Sequence, residues 1–391
     1  MLKIPLLSRF VCLQGQKRVV NFSPRLISSL NIQPRQGFCQ AVAEKEEEEI
    51  ESKNYKYLVP KYQKIQAWDR DNQDLKILGR ILSSKRDRTE SDSVVLEGVT
   101  IIKDALGHGH VPSVIVFSRE KLLWRLGLEG EDKKKLKSKL YHIPFSNIKM
   151  WTDLTTSPGI MAAFSKQDIQ ARAVASSPVS LSLICDNVRN PDNLGAVIRV
   201  AAAAGARQIL LTKGCVNAWS PKVVRSAAGS HFLIKIVENV SWQSLEAGDL
   251  IDQYPKVLLA DLVHDLPPSD ETQEKENQRL LEDLEQQCQE EGETNCYNNP
   301  ELCEKYQGLP LETLNHRDLT SLPGYKEAVV VIGGETEGVS GAAHMFCHKH
   351  HGAKLHVPLR NNVNSLNVIS AASLVLFSVR DALLNTKQQK Y

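Results

Sequence analysis

Hydrophobic positions along this chain fall into two blocks in which short apolar runs alternate with polar stretches. In the first block, residues 75–82 carry apolar side chains at helical spacing, 93–96 form a short apolar run, 98–106 read as a helix and 113–117 as a strand. A basic helix around 133–140, a strand near 141–143 and a further segment over 147–152 complete it. Such alternation over about ninety residues suits a small α/β module, residues 74–170.

The second block follows Pro178 and runs over residues 178–385. Residues 181–185 are continuously apolar, as in a strand covered by helices on both faces. The run stops at Asp186-Asn187-Val188-Arg189-Asn190-Pro191-Asp192-Asn193, a dense series of turn and cap formers. A helix over 194–204 ends at Gly205, then come a strand at 208–211, a helix at 221–228 and strands at 233–237 and 257–262. Further runs at 328–332 and 354–357 bring the total to about six strands interleaved with helices. That rhythm predicts a parallel sheet with helices on both faces.

Polar segments interrupt this pattern. Residues 265–307 are rich in Glu and Gln and poor in aromatics, so the expectation is a disordered acidic insertion crossing the surface. Residues 41–73 read as a charged linker containing the run EKEEEEIE at 44–51. Residues 1–40 contain six basic residues and no acidic residue, which resembles a mitochondrial transit peptide and points to the mitochondrial matrix. No unbroken apolar run approaches the roughly 18 residues of a membrane span.

Charge and cysteine usage refine the reading. The formal net charge of +2 hides an asymmetry, because residues 265–305 hold 13 acidic against 3 basic side chains and the remainder is strongly basic. A basic body is compatible with an RNA partner, and Lys85, Arg86, Arg88 and the lysines over 133–139 are candidate phosphate contacts. The eight cysteines form no CxxC pair. Cys288, Cys296 and Cys303 lack zinc-site spacing, and His344, Cys347, His348, His350 and His351 read as the polar face and end of a surface helix, so no metal is expected.

Three clusters carry candidate chemistry. They are Asn193 and Gly195 with Arg199, then Gly333 with Glu335 and Gly338, then Pro358 with Ser365, Leu366 and Asn367. Each begins at the carboxyl end of a predicted strand, where open α/β sheets hold ligands. Taken singly, Asn193 suits a helix cap, Glu335 an exposed loop acid and Ser365 the cap of the final helix. Four polar groups on one sheet edge, Asn193, Arg199, Glu335 and Asn367, exceed what capping needs. A nicotinamide-binding loop does not fit, since Gly333-Gly334-x3-Gly338 is not G-x-G-x-x-G and no ribose-binding acid follows about twenty residues later.

The three clusters, in this order, resemble the motifs of the SpoU (TrmH) branch of the SPOUT methyltransferases. The stretch LICDNVRNPDNLGAVIRVAAAAGARQILLTKGCV at 183–216 is similar to the mitochondrial large-subunit rRNA 2'-O-methyltransferases of that branch. The resemblance implies a trefoil-knotted parallel sheet with loops 333–338 and 357–366 in the knot, a homodimer, and the preceding module as the RNA substrate-binding domain. It implies S-adenosylmethionine held by Gly333, Val357 and Leu366, and Arg199 as the catalytic arginine with Asn193, Glu335, Ser365 and Asn367 around it. The expected reaction is 2'-O-methylation of a ribose, of a guanosine, in mitochondrial large-subunit rRNA. The alternative is a catalytically idle RNA-binding assembly factor of the same fold. Arg199 acts in one of two ways, as an unusually perturbed base or as a cation that fixes the neighbouring phosphate and stabilises developing alkoxide, with Glu335 orienting it.

Overall fold

The computed structural model describes residues 62–65, 72–127, 138–152, 156–173, 179–248, 250–251, 255–260, 271–291, 296–319, 327–335, 338–361, 363 and 365–388. The leader expected over 1–40, the acidic run at 44–51 and the basic cluster at 133–137 lie outside these residues.

The first module is a five-stranded mixed sheet in the order β1-β4-β3-β5-β2, made of Gln63–Lys64 (β1), Ser93–Glu97 (β2), Val114–Phe117 (β3), Lys139–His142 (β4) and Ile160–Ser165 (β5). Strand β1 pairs in parallel with β4, so part of the stretch read as linker belongs to this sheet. Two residues supply too short a pattern to be recognised without their partner strand. Of residues 147–152, whose type the sequence left open, 147–151 belong to a helix, Phe145–Trp151, and Thr152 follows its end in extended conformation. Strand β5 gave no sequence expectation, although it pairs antiparallel with both β2 and β3.

The second sheet has seven parallel strands in the order β10-β12-β9-β11-β6-β7-β8. These are Val179–Asp186 (β6), Ala206–Thr212 (β7), Lys235–Val240 (β8), Lys256–Ala260 (β9), Thr313–Asn315 (β10), Ala328–Gly333 (β11) and Ala353–His356 (β12). The continuous apolar strands are explained by two cores. Ala328, Val330 and Ile332 of β11 share a core with the Pro191–Ala204 and Val368–Gln388 helices, whereas Val329 and Val331 face the Gly341–Lys349 helix. The apolar stretch Val368–Asn385 has the length and composition of a membrane-crossing helix. Here Ala372, Val375, Leu376 and Val379 are buried in the first of these cores.

The two modules meet at the short helical turn Ser230–Phe232. Phe232 stacks against His108 and His110 at 5.7 and 5.5 Å, and the Ile236 amide donates to Gln170 Oε1 at 2.6 Å.

The acidic insertion departs from expectation. Its described residues include the helices Glu271–Glu291 and Pro300–Gly308, where a disordered loop was expected. Leu281, Leu284 and Cys288 form a narrow packing stripe at helical spacing, hidden in the sequence by the surrounding Glu and Gln, and Leu284 and Cys288 are buried. Tyr306 is fully buried beside them, and Tyr297 donates to Glu246 Oε2 at 2.8 Å. The insertion therefore covers the Gly341–Lys349 helix, which is not a surface helix: His344 and His348 are buried. Burial pushes the His348 imidazole down to about 4.

Candidate active site

The site is built where β6, β11 and β12 end. Strand β11 is rich in β-branched residues, which suit a strand packed on both faces, and it stops at Gly333-Gly334 because nothing larger fits. A Cβ at Gly333 would lie 2.1 Å from the Gly338 carbonyl oxygen, and one at Gly334 would lie 2.8 Å from the Asn187 carbonyl oxygen. Gly338 has φ of +66° and its amide donates to the Gly334 carbonyl at 3.1 Å. The chain thus doubles back on itself, and Glu335 stands at the exposed tip.

The third cluster comes up to this tip. Asn367 donates through Nδ2 to Glu335 Oε1 at 3.1 Å, and its Oδ1 accepts the Ile369 amide at 2.9 Å. Asn367, not Ser365, therefore caps the final helix.

Between the two loops lies a cavity of about 730 Å³, walled by Gly333, Glu335, Val357, Ser365, Leu366 and Asn367 among others. Bare glycine backbone lies on one side, and Val357, Pro358, Leu359 and Leu366 supply apolar wall on the other. Such a space fits an elongated ligand with an apolar body and a few polar groups. At the back of the nearby β12 edge, burial and then the Arg317 charge hold His316 below its ordinary value, and its Nδ1 lies 3.3 Å from Ser378 Oγ.

Asn193 and Arg199 do not line this cavity. The helix that carries them is capped by Asn190, whose side chain accepts from the amides of Asp192 and Asn193, with Pro191 at its start. Asn193 is buried in the first turn, and Arg199 projects from an exposed position further along. The motif glycine has a packing role: a Cβ at Gly195 would meet Ser226 Cβ and the Val223 carbonyl at 2.5 Å each. Six of the eight expected site residues thus share one cavity wall, and two stand apart from it.

Sequence reasoning passed over Asp186. Its carboxylate is buried, accepting the Ser340 amide at 2.8 Å and the Thr212 hydroxyl at 3.2 Å. The only available signal was an acid at the very end of an apolar strand, indistinguishable from an ordinary turn former.

The family model of the SpoU rRNA methylases matches residues 180–256. A Xenopus laevis protein named mitochondrial rRNA methyltransferase 3 is 33% identical over 335 residues, covering 79% of this chain and 74% of that protein. The human protein of the same name is 34% identical, covering 76% and 69% respectively. This chain belongs to the SpoU family of rRNA methylases. It is accordingly an RNA methyltransferase, and the resemblance read from the three motifs holds. Among solved structures, an AdoMet-bound rRNA methyltransferase from Sinorhizobium meliloti superposes with a TM-score of 0.55 at 19% identity, covering 81% of this chain and 98% of that one. The AdoMet complex of the SpoU methyltransferase AviRb from Streptomyces viridochromogenes gives 0.55 at 17% identity, covering 80% and 98%. These likenesses support the α/β methyltransferase fold.

Proposed function

We propose that this chain methylates a ribose 2'-hydroxyl of a guanosine in mitochondrial large-subunit rRNA, with S-adenosylmethionine as donor and the cavity beside Glu335 as the donor site. The observation that carries this reading is the Asn367–Glu335 hydrogen bond across a cavity walled by Gly333, Val357 and Leu366. The family membership supports RNA methylation, and the names of the relatives support the mitochondrial rRNA substrate and the mitochondrial location.

The cavity fits the donor: glycine backbone leaves room for close approach, and the apolar wall suits a flat ring system. Gly333, Val357 and Leu366 would hold it through backbone groups and apolar contact. Bound there, S-adenosylmethionine supplies an electrophilic methyl group on a sulfonium.

The chain's own residues then align and stabilise. In-line transfer depends on orientation, so a rigid wall contributes much of the acceleration. Arg199 is a donor-only guanidinium. In this reading it fixes the phosphate beside the reacting ribose and stabilises the alkoxide as the 2'-hydroxyl loses its proton. The same reading includes a homodimer that brings Arg199 to the cavity, and the exposure of Leu374 and Leu384 on the final helix, 43% and 41%, supports that helix as the face that meets a second copy. The five-stranded module is the RNA-binding domain, and the trefoil knot belongs to the same reading.

Mapping of 2'-O-methyl marks on mitochondrial rRNA with and without the protein tests the substrate, and loss of one guanosine mark is the expected result. Calorimetric titration with S-adenosylmethionine tests the site, and absence of binding identifies an idle assembly factor instead.

A further inference from the structure

Asp186 has an unusual relation to the Gly333–Ser340 loop. In the β6–β11 register, Gly333 lies directly opposite Asp186, so the loop departs from beside this residue. It returns at Ser340, whose amide donates to Asp186 Oδ2 at 2.8 Å. Both ends of the loop that carries Glu335 are therefore fixed on one residue. Between them, Gly334 presses on the backbone of Asn187, the next residue along.

The carboxylate is itself immobilised. Thr212 donates to Asp186 Oδ1 at 3.2 Å and accepts the Asn187 amide at 3.1 Å, so β7 braces the end of β6. Asp186 is 3% exposed, and a buried acid persists only where its oxygens find donors. It lies outside the residues that line the cavity.

We infer that Asp186 is a positioning residue for methyl transfer, acting through the loop to set Glu335 against Asn367. The inference rests on the donor site proposed above. A loop released at Ser340 swings Glu335 away from Asn367 while leaving the RNA-binding module untouched. Asparagine can replace the acid, offering Oδ1 to Ser340 and Nδ2 to the Thr212 oxygen, which has a second lone pair. Alanine can do neither.

The test compares D186A, D186N, D186L and L366E with the unmodified full chain. The readouts are single-turnover methyl transfer to rRNA at saturating S-adenosylmethionine, donor affinity by calorimetry and RNA affinity by filter binding. D186A is expected to lower the single-turnover rate roughly hundredfold, the scale of an ångström misplacement. RNA affinity should stay within about twofold, and D186N should recover most of the rate while D186L, which fills similar space but offers no acceptor to the Ser340 amide, should not, a difference that a mere packing role would not produce. A D186A rate within about twofold of the unmodified protein overturns the inference, as does a D186N rate no better than that of D186A. Should D186A not fold, S340P removes the same amide hydrogen at a φ of −71° that proline tolerates, and S340A controls for the lost Ser340 cap. S340P must fall well below S340A; equal rates overturn the inference. L366E tests the underlying site: unchanged donor affinity there removes the site assignment and this inference together, whereas lost affinity in L366E with a normal D186A rate removes this inference alone.

Discussion

Asn367 links to Glu335 with one end of its amide and caps the last helix with the other, at 3.1 and 2.9 Å. Helix start and candidate active-site acid are thus tied to one side chain, and N367D separates the two roles. Aspartate caps as well as asparagine. It cannot donate to Glu335 and brings a like charge beside it. The expected result is a native-like melting temperature with methyl transfer reduced about 10- to 100-fold, the worth of a hydrogen bond to a charged group. Thermal melts and tritium incorporation into rRNA check it.

Arg199→Ala should abolish methyl transfer while leaving donor affinity within about twofold, because Arg199 stands outside the cavity wall. Parallel calorimetry and turnover measurements decide it. Comparable turnover would refute both roles considered for Arg199.

The Gly195→Ala variant probes the junction of the Pro191–Ala204 and Pro221–Ala227 helices. Its new methyl meets Ser226 and Val223 at 2.5 Å, so the helices must separate. A loss of about 1–3 kcal/mol is expected in urea unfolding, the usual scale of overpacking.

Leu284→Asp distinguishes a packed insertion from a solvated one. Leu284 is 1% exposed, so a charge there has no water and should cost roughly 3 kcal/mol or more. Denaturant unfolding gives the value; an unchanged midpoint contradicts the packing described above.

Acid should destabilise the fold through buried histidines. Burial lowers His231 from 6.5 to about 4, and its Nε2 lies 2.8 Å from the Ala218 carbonyl oxygen. Between pH 6.5 and 4 the unfolded chain binds this proton and the folded chain does not, so stability falls as pH falls through that window. His348 adds in the same direction. H231Q should flatten the dependence, measured as unfolding midpoints at several pH values.

The alternation of apolar runs revealed the central strands because β11, β6 and β9 are buried on both faces and need continuous apolar sequence. The Gly333-Gly334 pair was legible for a related reason: where the chain doubles back, a Cβ at Gly333 would lie 2.1 Å from the Gly338 carbonyl oxygen, so no side chain is admitted. The packed insertion was not legible. Its stripe is narrow, and eight of the residues over 271–291 are acidic, so composition resembled that of an unfolded segment. Asp186 was hidden because its importance lies in partners 26 and 154 residues away.

The order of strands has a consequence for how the chain is made. Strand β11 lies between β9 and β6, yet its residues, 328–333, are synthesised after both. During translation only β6, β7 and β8 can therefore pair with one another, while β9 and β10 have no strand partner until β11 and then β12 emerge, and the walls around Glu335 wait longer still, for residues 357–367. Non-local closure of this kind is slow and exposes strand edges to aggregation. The nascent protein is most vulnerable late, and dependence on a chaperone should be concentrated in the interval between the emergence of β9 and that of β11.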